Sequence, residues 1–224
     1  MRQSKLFTKT KKEIPADETS KNAQLLIRAG YIHKEMAGVY TILPFGLKVI
    51  DNIIQIIREE MNKEGGIEMR TSVLQNRESW EKTGRWDDSV VDNWFKTNLK
   101  NGTEVGLSFT NEEAYTNLMK DYVRSYKDLP VYAYDFKSIF RNEARAKSGV
   151  MRGREFYWKA LYDFSKGEEE HNEFHGRMRE AYKRIFNRVG IGESTFVTFA
   201  SGGTFSEFSE EFQTVSDAGE DTIY

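Results

Sequence analysis

The chain has 224 residues, of which 38% are hydrophobic and 30% charged, and a net charge of −2 at neutral pH. That is the make-up of one ordinary globular domain, and it excludes a general nucleic-acid binder, whose affinity for phosphate comes from clustered cations. Cysteine is absent, so disulfides, thiolate metal sites and cysteine nucleophiles are excluded as well.

No run approaches the roughly 20 apolar residues that span a bilayer, which predicts a soluble chain with no membrane partner. The first dozen residues carry Arg2, Lys5, Lys9, Lys11 and Lys12, but no apolar face accompanies them and Glu13, Asp17 and Glu18 follow at once. A mature amino terminus is expected rather than a transit peptide. Residues 20–33 place Ala23, Leu26, Ile27 and Ile32 near helical spacing, with Gly30 set to end the helix. Residues 37–43 read as a short strand stopped by Pro44, Gly46 completing the turn. A longer helix over 47–63 carries a wide apolar stripe of Val49, Ile50, Ile53, Ile54, Ile56 and Ile57. Gly65-Gly66 ends it, and a strand follows over 67–74. On the residues alone this pair is core helix and core strand.

Residues 78–86 form a helix end and turn in which Trp80 and Trp86 are packing anchors. Over 94–109 two strands flank Asn101-Gly102, the strongest hairpin signal in the chain. Residues 113–126 then spell a helix with Tyr115, Leu118, Met119 and Tyr122 on its buried side and an acidic start that suits the positive end of a helix. Thr110 and Glu112 have two readings: a helix cap with a favourable first-turn charge, or a pair of acceptors for a substrate.

Residues 131–136 alternate as a strand leading into Phe140-Arg141-Asn142-Glu143, and a basic loop with Gly149 and Gly153 separates it from a second, aromatic-rich strand. Two antiparallel strands joined this way would hold Arg141 and Glu143 on one face. Arg145, Lys147, Arg152 and Arg154 on the loop suit a polyphosphate better than a packed core. Residues 167–189 form a charged amphipathic helix with Phe174, Met178, Tyr182, Ile185 and Phe186 inward. His171 and His175 lie four apart on it, but the His-Glu-x-x-His pattern and a third ligand are missing, so they read as a solvated face and no metal site is expected. A Gly-x-x-x-x-Gly-Lys phosphate loop is absent, and Gly190-Ile191-Gly192 lacks the rest of a dinucleotide fingerprint.

The stretch FRNEARAKSGVMRGREFYWKALYDF, residues 140–164, contains Phe-Arg-x-Glu, a loop, and Arg-x-x-x-Phe from Arg152 to Phe156. It resembles the second signature motif of class II aminoacyl-tRNA synthetases, and RGREFYWK is similar to their prolyl branch. The amino-terminal block up to residue 53 resembles bacterial-type members of that branch. Thr110-Asn111-Glu112 matches their Thr-x-Glu loop, and ESWEKTGRW over 78–86 matches a further segment. The tail, Gly202-Gly203 onward to Asp217-Ala218-Gly219-Glu220-Asp221, resembles the approach to their inserted domain or short connection. Three positions depart from the pattern: Ser72 and Asn76 stand where prolines are common, and Ala160 where an aspartate is common, although Asp163 is near in sequence.

The resemblance implies an α+β fold with a mainly antiparallel sheet flanked by helices. It assigns residues 1–224 to a partial catalytic domain, with motif 1 at about 47–74, the Thr-x-Glu loop at 110–112, motif 2 at about 140–164 and the start of an insertion or connection region at about 200–224. It implies activation of proline by ATP, with Mg2+ accompanying the nucleotide, and transfer to tRNA(Pro) by a cytoplasmic homodimer that forms through motif 1. Arg141 is the expected catalytic residue. Thr110, Glu112, Arg141 and Trp158 would bind proline; Arg141, Glu143, Arg152 and Phe156 would bind ATP. The third motif of the family is missing from the 224 residues, so this segment alone is expected to be poorly soluble and inactive. Two other outcomes are a paralogue that binds an amino acid or nucleotide without charging tRNA, and a dimerisation module.

Overall fold

The structure, a computed structural model, describes residues 2–200, 209–217, 219 and 222. Helix α1 (Lys21–Arg28) buries Ala23 and Ile27. It is shorter than the expected helix, because Ile32 and His33 belong to strand β1 (Ile32–Met36), paired antiparallel with β2 (Val39–Ile42). The β-branched Ile32 packs as well on a pleated surface as on a helix, and pairing with Ile42 decides its state. Pro44 opens helix α2 (Pro44–Lys63) instead of closing a turn, as its fixed φ and missing N–H allow. Gly46 therefore lies inside the helix, and a Cβ there would sit 2.3 Å from the Tyr31 carbonyl oxygen.

The expected strand over 67–74 is broken into β3 (Ile67–Glu68) and β4 (Leu74–Asn76), which pair with different sheets. Asn76 caps the short helix α3 (Arg77–Glu81), its Oδ1 accepting the Glu78 N–H at 2.9 Å. The hairpin forms as expected from β5 (Lys96–Asn98) and β6 (Glu104–Leu107), and β4 adds antiparallel on the far side of β6. Helix α4 (Glu112–Tyr122) buries Tyr115 completely. Tyr122, expected on the same side, is the last residue of the helix and is 72% exposed.

Strands β7 (Val131–Phe140) and β8 (Glu155–Phe164) form an antiparallel ribbon whose register runs without a break from Val131 opposite Phe164 to Phe140 opposite Glu155. Strand β3 joins the outer edge of β7 in parallel. Because side chains alternate along a strand, the ribbon has two faces. Tyr134, Phe136 and Leu161 share one, packed against Met61 of α2 and against Phe174 and Met178 of helix α5 (Glu168–Arg188), with Ala181 and Ile185 completing the cluster. Tyr132 stacks flat on Phe174 with ring centroids 3.6 Å apart. Ion pairs from Arg184 to Glu60 and Glu64, both 2.6 Å, close the seam between α2 and α5. The other face carries Asp135, Lys137, Ile139, Phe156, Trp158, Ala160 and Tyr162. A second core gathers Trp80, Val91, Trp94 and Phe109 with Trp86 against it, so both expected tryptophan anchors are in the packing. A last antiparallel hairpin joins β9 (Thr195–Ala200) to β10 (Ser209–Thr214). The architecture is α+β with mainly antiparallel sheets, as the sequence implied.

Candidate active site

Arg141 leaves the end of β7 with its N–H still bonded to the Arg154 carbonyl at 2.9 Å, which aims its side chain back over the ribbon. Its guanidinium carbon lies 5.0 Å from the Phe109 ring centroid, 5.0 Å from Trp158 and 5.5 Å from Phe156. Phe156 and Trp158 are two apart on β8 and stack 6.0 Å apart, so strand alternation alone brings them to the same cation. Burial pushes the Arg141 guanidinium below its ordinary pKa, while the Glu143 and Glu112 carboxylates pull the other way. Its Nε is buried without a partner among the described residues. A cation held by ring faces, with N–H capacity unspent, is suited to receive an anion.

Thr110 and Glu112 follow β6. The Thr110 hydroxyl donates to Glu112 Oε2 at 2.6 Å, and the Tyr162 hydroxyl donates to Glu112 Oε1 at 3.1 Å. Tyr162 also accepts the Asn111 N–H at 3.2 Å. Burial first, then the charge of Glu112, pushes the Tyr162 phenol up from its ordinary pKa, so it stays a donor. The residue before α4 is Asn111, whose side chain makes no capping bond, so Thr110 is not the helix cap; Glu112 does occupy the first turn. Tyr162 was not singled out from the sequence, although it continues the period-two series from Phe156 and Trp158 through Ala160.

Three sequence expectations need correction. The strand ends at Phe140, and the Glu143 N–H turns back to the Arg141 carbonyl at 2.8 Å, so strand alternation does not place Glu143 beside Arg141. Glu143 instead accepts from Asn93 Nδ2 at 3.3 Å and lies 3.6 Å from Arg152. Of the loop cations, Arg154 is structural: it donates to the carbonyls of Glu143, Ala37 and Ala144 at 2.9, 2.8 and 3.3 Å. This clamp pins the loop to the turn at Gly38, whose φ is +75° and where a Cβ would lie 2.6 Å from that of Ala146. Arg145, Lys147 and Arg152 stay exposed. Asp163 faces away from the site, its carboxylate 2.5 Å from both Ser165 Oγ and His171 Nδ1. The carboxylate facing Ala160 is Asp135, directly opposite on β7 and fully buried.

Asp135 Oδ2 accepts both the N–H and the hydroxyl of Thr71, at 3.2 and 2.5 Å, and Lys137 Nζ donates to Thr71 Oγ1 at 2.6 Å and the Ser72 carbonyl at 3.2 Å. Burial lowers the Lys137 pKa, opposed by the charge of Asp135. Among the described residues no group of three His, Cys, Asp or Glu side chains is arranged to hold a metal ion, His171 and His175 included. No helix among them is long and apolar enough to cross a membrane. The Gly202-Gly203 segment, Ala218, Glu220 and Asp221 of the expected tail motif lie outside the described residues.

The family model of the tRNA synthetase class II core domain (G, H, P, S and T) matches residues 95–221. Similar curated proteins include the proline–tRNA ligases of Bacillus cereus (strain B4264) and Bacillus anthracis (strain A0248), each 40% identical over 223 residues. The match takes in 100% of this chain and 39% of each of those proteins, so the chain spans about two fifths of their length. Among solved structures, the prolyl-tRNA synthetase from Cryptosporidium parvum complexed with L-proline and AMP matches with a TM-score of 0.72 at 15% identity. That match covers 84% of this chain and 38% of that one, a likeness of fold.

Proposed function

The chain belongs to the tRNA synthetase class II core domain family (G, H, P, S and T), and from that premise we propose that it supplies the amino-acid and α-phosphate part of a proline–tRNA ligase. The 40% identity to proline–tRNA ligases along its whole length supports the assignment. The observation that carries the chemistry is the Arg141 guanidinium, enclosed by Phe109, Phe156 and Trp158.

In the proposed reaction a carboxylate oxygen of proline attacks the α-phosphorus of ATP. A phosphorus–oxygen bond forms, the bond to the bridging oxygen breaks, and its electron pair leaves with pyrophosphate. Charge builds on the phosphoryl oxygens, which fixed cations stabilise without any covalent group. Arg141 bridges the proline carboxylate and the α-phosphate and sets the line of attack. Thr110 and Glu112 accept hydrogen bonds from the two N–H groups of the protonated imino group, with Glu112 as counter-charge, and Trp158 walls the ring. Phe156 stacks on the purine, Glu143 accepts from its amino group, and the exposed Arg152 reaches the terminal phosphates. Mg2+ enters as part of the nucleotide substrate. A terminal ribose hydroxyl of tRNA(Pro) then displaces AMP from the prolyl carbonyl, with exposed Arg145 and Lys147 available to its phosphates.

We assign the homodimer to α2. Its inner side packs Ile54, Ile56 and Ile57 on the core, while Leu47, Val49 and Ile53 are left exposed. Beside them a cavity of about 400 Å³ opens between α2 and the ribbon, lined by Ile50, Ile53, Phe136 and Tyr157. A second copy of the same surface is the partner that such a self-complementary apolar patch fits.

Calorimetric titration tests the reading. L-Proline and ATP should each bind saturably, with alanine weaker than proline by about tenfold or more, the penalty for an underfilled apolar pocket. Equal affinity for proline and alanine, or no binding of either, would overturn it.

A further inference from the structure

Between the end of β6 at Leu107 and the start of α4 at Glu112 the chain leaves regular pairing, yet Ser108, Thr110 and Asn111 are all at most 2% exposed. Buried polar groups outside a ladder must find partners elsewhere. Here one side chain from a remote segment reaches three of them. Gln75, the middle residue of β4 and itself buried, donates from Nε2 to the Thr110 carbonyl at 2.7 Å and to Asn111 Oδ1 at 3.3 Å, with Ser108 Oγ at 3.4 Å. Ser108 Oγ donates to the same Asn111 Oδ1 at 3.1 Å. This is why Asn111 precedes a helix without capping it: its side-chain oxygen is already committed.

The segment that carries Gln75 is fixed at its other end to the ribbon, through Thr71 to Asp135 and through Lys137 to Thr71 and Ser72. Residues 71–75 thus span from the strand that leads into Arg141 to the loop that carries Glu112. We propose that Gln75 is a positioning residue for the amino-acid subsite: it holds the Thr110–Asn111–Glu112 loop in place, and so sets affinity for the amino acid without touching it and without affecting ATP. The inference rests on the proposed function. An amide suits the role because one Nε2 offers two N–H donors to two acceptors at that reach. Losing it leaves the Thr110 carbonyl buried and short of a donor, and leaves Asn111 Oδ1 with Ser108 Oγ alone. The cheapest relief is for the loop to move towards water, taking Glu112 with it.

The test uses Gln75→Met, which keeps volume and removes the donors, and Gln75→Glu, which keeps shape and replaces donor by acceptor. Ser108→Ala, which leaves the core at Gln75 filled, serves if both fail to fold. Proline and ATP affinities are measured by calorimetry, and amide hydrogen exchange is followed at residues 110–113 and along the ribbon. Both Gln75 variants should bind proline about tenfold more weakly, the scale of one lost buried hydrogen bond, with ATP affinity unchanged. Exchange should accelerate at 110–113 and not in β7 or β8. Ser108→Ala should shift in the same direction by less. Equal losses for proline and ATP, or unchanged proline affinity in a folded variant, would overturn the proposal. If the wild-type protein fails to bind proline, the functional reading falls, and unchanged exchange at 110–113 in Gln75→Met would separately show that Gln75 does not hold the loop.

Discussion

The two faces of the β7–β8 ribbon are built from alternate residues of the same strands and have opposite characters. On the rear face Tyr134, Phe136 and Leu161 meet Met61, Phe174 and Met178, and the Tyr134 hydroxyl is paired with Asn62 Oδ1 at 2.6 Å. On the site face Asp135 and Lys137 are buried charges, and Arg141 Nε is buried without a partner among the described residues. Burying polar groups with unspent capacity costs stability. The ribbon tolerates this because its rear face holds it in place. Parity along a strand therefore predicts what a substitution does: rear-face changes should act on stability, site-face changes on ligands.

The largest stability loss is expected from the rear face. Phe174→Ala removes a ring that is 2% exposed and stacked on Tyr132, and should cost about 3–5 kcal/mol in chemical denaturation. Its folded fraction should keep wild-type affinity for proline and ATP, and a changed affinity would break the division between the faces.

Arg141→Ala should leave circular dichroism unchanged while lowering proline-dependent exchange of pyrophosphate into ATP by about 10²–10³-fold or more, the effect of one lost group that stabilises developing charge. Exchange within a few-fold of wild type would remove Arg141 from the mechanism.

Glu112→Gln sharpens the contrast within the site face. It replaces the counter-charge for the imino group and should weaken proline by roughly 1.5–3 kcal/mol with ATP little affected. Equal losses for both ligands, or a lower melting temperature at unchanged affinity, would return Glu112 to a plain first-turn charge.

The smallest effect is expected at Glu113, at the margin of the site. Burial raises its carboxyl above the ordinary 4.5, against the donors of Thr83 and Arg85. Protonation therefore stabilises the folded state; that contribution is complete below 4.5 and lost as pH rises through the raised value. Relative to wild type, Glu113→Gln should gain stability between pH 4 and pH 7 in parallel denaturation curves. A variant that instead falls behind at pH 7 would show that the Arg85 ion pair outweighs the burial.

Much of this organisation was legible in the sequence. Asn101-Gly102 located a hairpin, the 3.6-residue spacing of Phe174, Met178 and Ile185 gave the inward face of α5, and alternation gave the ribbon. Arg141, Phe156 and Trp158 were named from their motif and do meet. What was hidden depends on partners far away in the chain. Ile32 reads as a helix residue until Ile42 pairs with it. Residues 67–74 read as one strand, but their two ends are claimed by different sheets. Arg154 is indistinguishable from Arg152 by type, and only the turn at Gly38, over a hundred residues earlier, makes it structural. Gln75 and Tyr162 gave no local signal of their bonds to the Thr110–Glu112 loop, since each is a long-range hydrogen bond from an ordinary strand position.

The most direct test of the account is exchange of labelled pyrophosphate into ATP by the protein at its natural length, with and without L-proline. Exchange should require proline and saturate with it, should be lost in Arg141→Ala, and should be retained by Phe174→Ala where folded. Exchange indifferent to proline, or its absence from a folded protein that binds both proline and ATP, would contradict it.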